Sequence, residues 1–253
     1  ADATFIDIYL NMDYRGNITL EIYDDGIGMS RDELINAMKY GSSPRPSPGS
    51  LGKFGLGLKT ASTAFCRRLS VVSTGVPGGP LGRATWDLDH VRDTNRWELL
   101  VEEPVANEEE KFRRIVGNAT GTLVLWQKVD RLLKNYANKG GAPAKRALAK
   151  ITQGLRLHLG KVFQRFLDAN DNRALNVIMK LNGEEIMPWD PFCRKESEVV
   201  SEDTPEVELF NGDTATFAMK AYVLPRKEEF STEDAAKAAL ISNANQGIYI
   251  YRE

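Results

Sequence analysis

Residues 18–33 read Ile18-Thr-Leu-Glu-Ile-Tyr-Asp24-Asp-Gly-Ile-Gly-Met-Ser30-Arg-Asp-Glu33. The first part alternates apolar and polar residues with a period of two, which predicts a β-strand. Ser30 followed by Glu33 is the capping-box pattern that begins a helix. The glycines between them permit backbone conformations with positive φ and a close approach of other groups. The stretch therefore predicts a strand, a glycine turn and a helix in immediate succession.

A second alternating segment precedes this one. Residues 4–10 carry Ile6, Ile8 and Leu10 on one face, and a short polar link joins them to residues 18–23. Two such segments with a short connection predict an antiparallel hairpin. Further strands are predicted at 69–74, 82–87, 97–102, 121–126 and 175–182, and, beyond a Pro-rich joint at 188–191, near 205–210, 214–224 and 246–252, with helices at 58–65 and after a cap at Ser231.

The most regular helical pattern covers residues 143–167. Its apolar positions fall within about 80° of arc, and they are Leu148, Ile151, Leu155, Leu159, Val162 and Phe166. The opposite side carries Lys145, Arg146, Lys150, Arg156, Lys161 and Arg165. Such a face is usually plain solvated surface, and its functional alternative is contact with DNA phosphates.

A second glycine segment reads Gly52-Lys53-Phe54-Gly55-Leu56-Gly57-Leu58-Lys59-Thr60 and lies just before a predicted helix. Glycines at a helix entrance let backbone N–H groups point at an anion, and the helix dipole adds to the attraction. The segment is not a P-loop, because Leu58 occupies the position of the phosphate-binding lysine. It also lacks the third glycine of the dinucleotide fingerprint, since Thr60 stands there. It predicts phosphate binding by another motif.

Together these segments resemble the Bergerat-fold ATPases, the superfamily of DNA gyrase, heat-shock chaperones, sensor histidine kinases, MutL and MORC proteins. Three motifs match in family order: Asp-x-Gly-x-Gly at Asp24–Gly28, Gly-x-x-Gly-x-Gly at Gly52–Gly57, and Gly-Thr at Gly121–Thr122. Leu58–Ser62 is similar to the MORC-like branch. Gln246–Arg252 resembles a strand of the transducer-like domain of MutL and MORC proteins.

The resemblance implies a role for each matched residue. Asp24 would accept a hydrogen bond from the exocyclic amino group of adenine, and Thr122 would support Asp24 and a water beside the base. Gly28 would let the base approach the backbone, and Met29 would pack on its face, although Met29 could also be plain core. The remaining nucleotide-binding positions are Gly26 in the turn and Gly52, Lys53, Phe54, Gly55, Leu56, Gly57 and Leu58 at the phosphates. Lys59 is either a neighbour of the phosphates or an ordinary surface lysine.

Two parts of the family's catalytic machinery are not matched. Its first motif supplies a Glu that activates water and an Asn that binds Mg²⁺, on a helix that would fall upstream of Ala1. A lysine that reaches the γ-phosphate would fall after Glu253. We therefore expect no catalytic residue and no metal ligand in this chain, although ATP and Mg²⁺ are the implied cofactors. The chain is expected to be a fragment that binds ATP weakly and hydrolyses it negligibly.

Composition sets the outer limits. The apolar fraction of 42% and the charged fraction of 27% are those of an ordinary globular protein, and no run of about 18 apolar residues predicts a membrane span. Two cysteines and two histidines argue against a zinc cluster and indicate a reducing, cytoplasmic compartment. The net charge of -2 combines ten Lys/Arg and one acid in 128–165 with fourteen acids and five bases in 184–234.

The predicted fold is an α/β two-layer sandwich, a mixed sheet with helices over one face, in residues 1–189, followed by part of an α+β transducer-like domain in 190–253. The predicted function of the parent protein is ATP hydrolysis coupled to lid closure and to homodimerisation on nucleotide binding, in a DNA-related process. Three alternatives remain open. They are a sensor histidine kinase, a chaperone-like ATPase, and a non-hydrolysing module in which nucleotide regulates binding to DNA or to a partner.

Overall fold

The alternating segments lie at the centre of an eight-stranded sheet in the computed structural model, which describes residues 2–40, 56–136 and 138–251. The strands are β1 (Phe5–Met12), β2 (Ile18–Asp24), β3 (Cys66–Thr74), β4 (Gly82–Asp87), β5 (Leu100–Glu102), β6 (Gly121–Val129), β7 (Ile178–Leu181) and β8 (Glu184–Glu185). Their order is β5-β4-β3-β6-β2-β1-β7-β8. The β1–β7 pair is parallel and every other neighbouring pair is antiparallel, so the predicted mixed sheet is confirmed.

β1 and β2 form the predicted hairpin, in which Ile8 lies opposite Ile22 and Leu10 opposite Leu20. At the other end of the sheet, Asn182 and Gly183 join β7 to β8 with φ of 52° and 82°. Two consecutive positive φ values suit the twist of a tight hairpin. The β1–β2 hairpin and the turn between β7 and β8 both follow directly from their local sequence.

Six helices accompany the sheet in the described part of residues 1–187. They are α1 (Arg31–Met38), α2 (Gly57–Phe65), α3 (Leu88–Thr94), α4 (Ala106–Val116), α5 (Ala142–Val162) and α6 (Gln164–Leu167). The predicted capping box begins α1: the Ser30 amide donates to Glu33 Oε2 at 2.8 Å, and the Glu33 amide donates to Ser30 Oγ at 3.4 Å.

One face of the sheet carries α1, α2 and α5. Met38 of α1 and Leu58 of α2 pack with Leu69 and Val71 of β3, while Leu148 of α5 packs with the apolar residues of the β1–β2 hairpin. These two clusters form the predicted sandwich of helices on a sheet.

The opposite face carries α4, which sequence analysis did not predict. Phe112 of α4 is fully buried against Tyr23, Val72 and Leu123, the strand positions that point away from α1 and α5. Ile115 packs beside them. The helices therefore cover one face extensively and the other through α4.

The long predicted helix ends earlier than its apolar stripe indicated. Residues 143–167 were expected to be one helix, but α5 ends at Val162, and Phe163 with φ of -101° and ψ of 18° separates it from α6. Phe163 packs against the core in place of Val162, which is 50% exposed. The prediction of Val162 as a core residue is wrong, because the break turns the next residue inward.

The chain divides into two units, Ala1–Met187 and Pro188–Glu253. The second holds β9 (Glu198–Asp203) paired with β12 (Met219–Val223), β10 (Glu206–Glu208) paired with β11 (Thr214–Thr216), and the short helix α7 (Glu233–Ala238). The predicted strand at 214–224 is thus two strands. The identity of residues 190–253 as part of a transducer-like domain stays a prediction.

Two predictions in the second unit are wrong. The cap of α7 is Thr232, whose side chain accepts from the Ala235 amide, whereas Ser231 donates through its amide and its hydroxyl to Glu196. Residues 246–251, expected to be a strand, have no strand partner among the described residues. Tyr249 and Tyr251 instead approach the ring of Phe192.

Candidate functional site

A row of four residues crosses the sheet where the first glycine turn begins. Strand register places Asp24 at the end of β2 between Ile6 of β1 and Thr122 of β6, and Thr122 is followed by Ser73 of β3. Residues directly opposite one another in neighbouring strands project from the same face. The side chains of Asp24, Thr122 and Ser73 therefore share the face that also carries α1, α2 and α5. Sequence analysis predicted Asp24 and Thr122, and the structure brings them together.

The two adjacent aspartates of the turn have different surroundings. Asp24 Oδ1 accepts from the Gly26 amide at 3.0 Å, which closes the turn on itself. Asp25 instead accepts from the amides of Thr4 and Phe5, both at 2.8 Å, and from the Thr4 hydroxyl at 2.7 Å. Partial burial opposes ionisation of Asp25, but these hydrogen bonds outweigh it and lower the pKa of its carboxyl. Asp25 thus ties the start of β1 to the turn, while Asp24 belongs to the row.

Gly28 is required by its own backbone. Its φ is +64°, and a Cβ at this position would lie 1.8 Å from the Thr74 carbonyl oxygen. The turn therefore presses against the ends of β3 and β6. Gly26 is also tied down, because its carbonyl accepts from the Thr120 hydroxyl at 2.7 Å. Gly28 therefore has a structural role in the packing of the turn. Its predicted role in giving a base access to the backbone stays a prediction.

Met29 is half-buried and packs against the cluster that contains Leu34 and Leu69. This contact fits the plain-core alternative that the sequence left open. A role of the Met29 side chain against a base stays a prediction.

Ser73 is a member of the row that sequence analysis missed. Its hydroxyl donates to the Gly121 carbonyl at 2.8 Å and lies 3.0 Å from the Thr122 hydroxyl. Ser73 is 1% exposed and Thr122 is 8% exposed. The signal was present in the alternation of β3, because Leu69 and Val71 predict that the next inward position, residue 73, should also be apolar. A serine there points to a polar partner across the sheet.

The row faces a half-covered apolar strip. Ile22 and Val124, which pair with each other one step further from the turn, are only partly buried, and Trp126 beyond them stacks on Phe65 with ring centroids 5.9 Å apart. Ile6 closes the row on the side of β1. A flat apolar surface beside a carboxylate suits a planar heteroaromatic ring that carries a hydrogen-bond donor.

The second glycine segment lies only partly within the described residues. Gly52, Lys53, Phe54 and Gly55 are outside them. Leu56 is the N-cap of α2 and is exposed, Gly57 is the first helical residue, and Leu58 is half-buried against the cluster around Leu69. The side chain of Leu56 provides no cap to α2. The predicted helix start is confirmed, and phosphate contacts by this segment stay a prediction.

Lys59 is not a surface residue. It is 1% exposed, and its Nζ donates to the Ala37 carbonyl at 2.9 Å, near the C-terminus of α1. Burial lowers the pKa of its ammonium group. Lys59 therefore connects α2 to the end of α1, which removes the surface-lysine alternative, and its proximity to phosphates stays a prediction.

The described residues do not by themselves form a Mg²⁺ site. They contain no group of three or more His, Cys, Asp and Glu side chains placed to hold a metal ion. Hard cations prefer several oxygen ligands, so the donor set of the described residues does not fit a complete site. Mg²⁺ remains an implication of the family resemblance.

Fewer cations of the predicted basic face of α5 are exposed in the structure than the sequence indicated. Arg156 is not available to a partner, because its guanidinium donates to the Leu181 carbonyl at 2.9 Å and pairs with Glu184 at 2.8 Å. Lys161 and Arg165 are partly buried and have partners within the protein. Lys145, Arg146 and Lys150 are exposed. Arg146 and Lys150 also line a cavity of about 730 Å³ whose other walls are Leu132, Leu133, Tyr136, Pro143, Ala147 and Ile151.

Among the described residues, no helix is long and apolar enough to cross a membrane.

Comparison with known proteins finds a family match for the segment that contains the row. Residues 1–122 match the family described as "Histidine kinase-, DNA gyrase B-, and HSP90-like ATPase". The matched segment contains the Asp24 turn and the second glycine segment, and it ends at Thr122. It covers every position at which the sequence predicted a nucleotide contact.

Shorter segments are similar to MORC proteins. The chain is 41% identical over 66 residues to ATPase MORC2 of Homo sapiens and to ATPase MORC2B of Mus musculus, and 34% identical over 73 residues to ATPase morc-1 of Caenorhabditis elegans. These segments are 24% to 28% of this chain and 6% to 8% of the relatives. The similarity therefore spans a small part of each relative.

A solved structure of the ATPase and transducer domains of DNA topoisomerase II from Balamuthia mandrillaris superposes with a TM-score of 0.40 and 14% identity, over 74% of this chain and 43% of that chain. This superposition is too loose to assign individual residues.

Proposed function

We propose, since residues 1–122 belong to the histidine kinase-, DNA gyrase B- and HSP90-like ATPase family, that this chain is the ATP-binding part of a larger ATPase. The observation that carries the proposal is the placement of Asp24 opposite Thr122, beside the half-covered strip of Ile22 and Val124. In this proposal the strip receives the adenine ring and the carboxylate accepts from its amino group. A carboxylate can only accept, so it favours adenine over guanine.

The phosphates of ATP are assigned to the second glycine segment. Gly57 begins α2 next to Leu56, whose side chain provides no cap, and no described residue lies within 4 Å of the position that a Cβ at Gly57 would occupy. A helix start whose N-cap side chain does not bind its amides suits an anion. The positions that would complete the cradle are Gly52, Lys53, Phe54, Gly55 and Leu58.

Hydrolysis is assigned to the parent protein. Asp25 is the carboxylate next to Asp24 in the chain, but its oxygens accept from Thr4 and Phe5 and its pKa is lowered. A general base works best with a pKa near the working pH, so Asp25 is unsuited to the task. We expect these 253 residues to bind ATP weakly and to hydrolyse it negligibly. Robust turnover by this chain would contradict that expectation.

Lid closure and homodimerisation on nucleotide binding belong to the same proposal. Nucleotide would favour the closed, dimeric population, and hydrolysis would reset it. The similarity to proteins named as MORC ATPases supports an ATPase of that kind over a sensor histidine kinase and over a chaperone. Sedimentation of the chain with and without ATP tests it, and an unchanged mass at saturating ATP would contradict it.

The decisive test of the nucleotide site is Asp24→Asn. The substitution keeps the size of the side chain, but the amide can turn a donor towards the adenine amino group. Loss of a charge-assisted hydrogen bond worth about 1.5–3 kcal/mol should weaken ATP binding roughly 10- to 150-fold in calorimetry. Asp13→Asn, at the opposite end of the same hairpin, is the matched control and should bind ATP as the unaltered chain does. Equal affinity of the Asp24 variant would remove Asp24 from the site.

A second candidate function, regulated binding of DNA, has the support of the three exposed cations at the start of α5. Contacts with about three phosphates should give a slope of roughly -3 when log affinity is plotted against log salt concentration. Reversing Lys145, Arg146 and Lys150 to Glu should abolish the binding. The same reversal at Lys195, Arg226 and Lys227, also exposed, is the control for net charge. Equal loss in both variants would show that the contact is not specific to α5.

A further inference from the structure

The hydroxyl groups of Ser73 and Thr122 have a defined proton order. Ser73 Oγ lies 2.8 Å from the Gly121 carbonyl and 3.0 Å from Thr122 Oγ1. A carbonyl oxygen only accepts, and a serine hydroxyl has a single proton. The Ser73 proton is therefore committed to Gly121, and Thr122 must be the donor in the bond between the two hydroxyls.

This order determines what Thr122 can offer to a ligand. With its own proton directed at Ser73, the Thr122 hydroxyl presents only lone pairs elsewhere. The carboxylate of Asp24, its partner across the β2–β6 pair, also offers acceptor oxygens. Two neighbouring acceptor groups thus project from one face of the sheet, and a ligand that hydrogen-bonds to them there must do so with donors.

We propose that Ser73 is a positioning residue that holds Thr122 as an acceptor and thereby makes the site select a purine with an amino group at C6 over one with a carbonyl there. This inference rests on the proposed function, because it assigns the row to the base of ATP. Ser73 acts through Thr122 and does not touch the nucleotide.

The physical basis of the selection is the unfavourable free energy of placing two hydrogen-bond acceptors against each other. A 6-oxo purine has a carbonyl oxygen at C6 and a proton on N1. Even where N1–H donates to Asp24, the carbonyl oxygen faces the Thr122 lone pairs, so two acceptors removed from water face one another without a proton between them. A freely rotating Thr122 hydroxyl could relieve this by turning its proton to the ligand. Ser73 prevents that rotation, because the proton has a better-placed acceptor on β3.

The test compares ATP with inosine triphosphate, in which the 6-amino group is replaced by a 6-oxo group. Calorimetry should show that the chain prefers ATP and that Ser73→Ala lowers the ratio of the two affinities about 2- to 10-fold, the worth of one ordinary hydrogen bond. Most of the change should come from tighter binding of inosine triphosphate. In a Thr122→Val background, Ser73→Ala should not change the ratio further, because the hydroxyl through which it acts is gone.

Ser70→Ala is the matched control. Ser70 of β3 and Thr85 of β4 also form a buried hydroxyl pair, at 2.9 Å, but they project from the opposite face of the sheet to Ser73 of β3 and Thr122 of β6. This variant loses a comparable hydrogen bond and should keep the wild-type ratio. An unchanged ratio in Ser73→Ala, or an equal change in Ser70→Ala, overturns the inference.

Failure of the proposed function gives a different result. If the unaltered chain binds neither nucleotide, or binds both equally, the assignment of the row to adenine fails. The proton order has its own readout without nucleotide: the Thr122 hydroxyl proton should exchange slowly with solvent in NMR spectra and rapidly in Ser73→Ala. Rapid exchange in the unaltered chain overturns the role of Ser73 whatever the nucleotide data show.

Discussion

The two faces of the central sheet treat their polar residues differently. On the face under α4, Arg83 pairs with Glu108 at 3.1 Å, and Glu21 accepts from Tyr23 at 2.7 Å and pairs with Lys111 at 2.6 Å. These groups find their partners within the protein. On the other face, Asp24 and Thr122 project beside an apolar strip that the described residues cover only in part.

The comparison shows why the same strands can both support a structure and form a site. Each face contains one buried Ser–Thr pair at about the same distance, Ser70–Thr85 under α4 and Ser73–Thr122 on the other side. The first lies on the face whose charged residues Arg83, Glu108, Glu21 and Lys111 pair with one another. The second lies opposite Asp24 in strand register, and the proposed nucleotide site is assigned to this face. The predictions below separate the two faces.

The largest effect is expected from Arg83→Met. Arg83 and Glu108 are 4% and 5% exposed, so the substitution would strand a carboxylate in the interior. Removal of one partner of a buried pair costs about 3–5 kcal/mol of unfolding free energy, which denaturant titration would measure. The affinity ratio between ATP and inosine triphosphate should stay the same in the folded protein. A loss below about 1 kcal/mol would mean that the pair is effectively solvated.

A somewhat smaller effect is expected from Gly28→Ala on the site face. The added Cβ would meet the Thr74 carbonyl, and φ of +64° is unfavourable for alanine. Strain and overpacking together should cost roughly 2–4 kcal/mol. The turn should also move relative to β3, so ATP affinity should fall in parallel, unlike in Arg83→Met. Gly183→Ala is the control. Its φ is also positive, at 82°, but no atom of the described residues lies within 4 Å of the added Cβ, so the variant should lose less stability and keep ATP binding.

The smallest effect concerns the acid limb of the stability curve. The pKa of Asp25 is lowered in the folded chain, so its ionised form contributes stability at pH values above its unfolded pKa of about 4. That contribution should disappear as the pH falls through the lower, folded value. Asp25→Asn should therefore be less stable than the unaltered chain at pH 7, and the difference should shrink towards pH 2. A difference independent of pH would assign the role of Asp25 to packing alone.

Local patterns predicted much of this molecule. The alternation of residues 4–10 and 18–23, the capping box at Ser30 and the glycines of the first turn each involve residues close in the chain, so their structure follows from nearby sequence. The family resemblance drawn from the glycine motifs is confirmed by the match over residues 1–122. Asp24 and Thr122 were identified by motif and are neighbours by strand register.

Other features depended on contacts that no local pattern contains. The helix α4 buries Phe112 on a face whose partners lie on β2, β3 and β6. The exposure of Val162 follows from a break at Phe163, and the capture of Arg156 follows from carbonyls on β7 and β8. The predicted strand at 246–252 had the right alternation, but the part of it that the structure describes has no strand to pair with among the described residues.

The sequence by itself determined the strand–glycine turn–helix unit, the family and the carboxylate that the site would present, because these follow from residue types and short spacings. Only the tertiary structure decided that Asp25 is a tie to β1, that Lys59 is buried against α1, and that Ser73 stands next to Thr122. The reason is physical: a hydroxyl donates or accepts according to the atoms around it, and those atoms come from strands that are 49 residues apart in the chain.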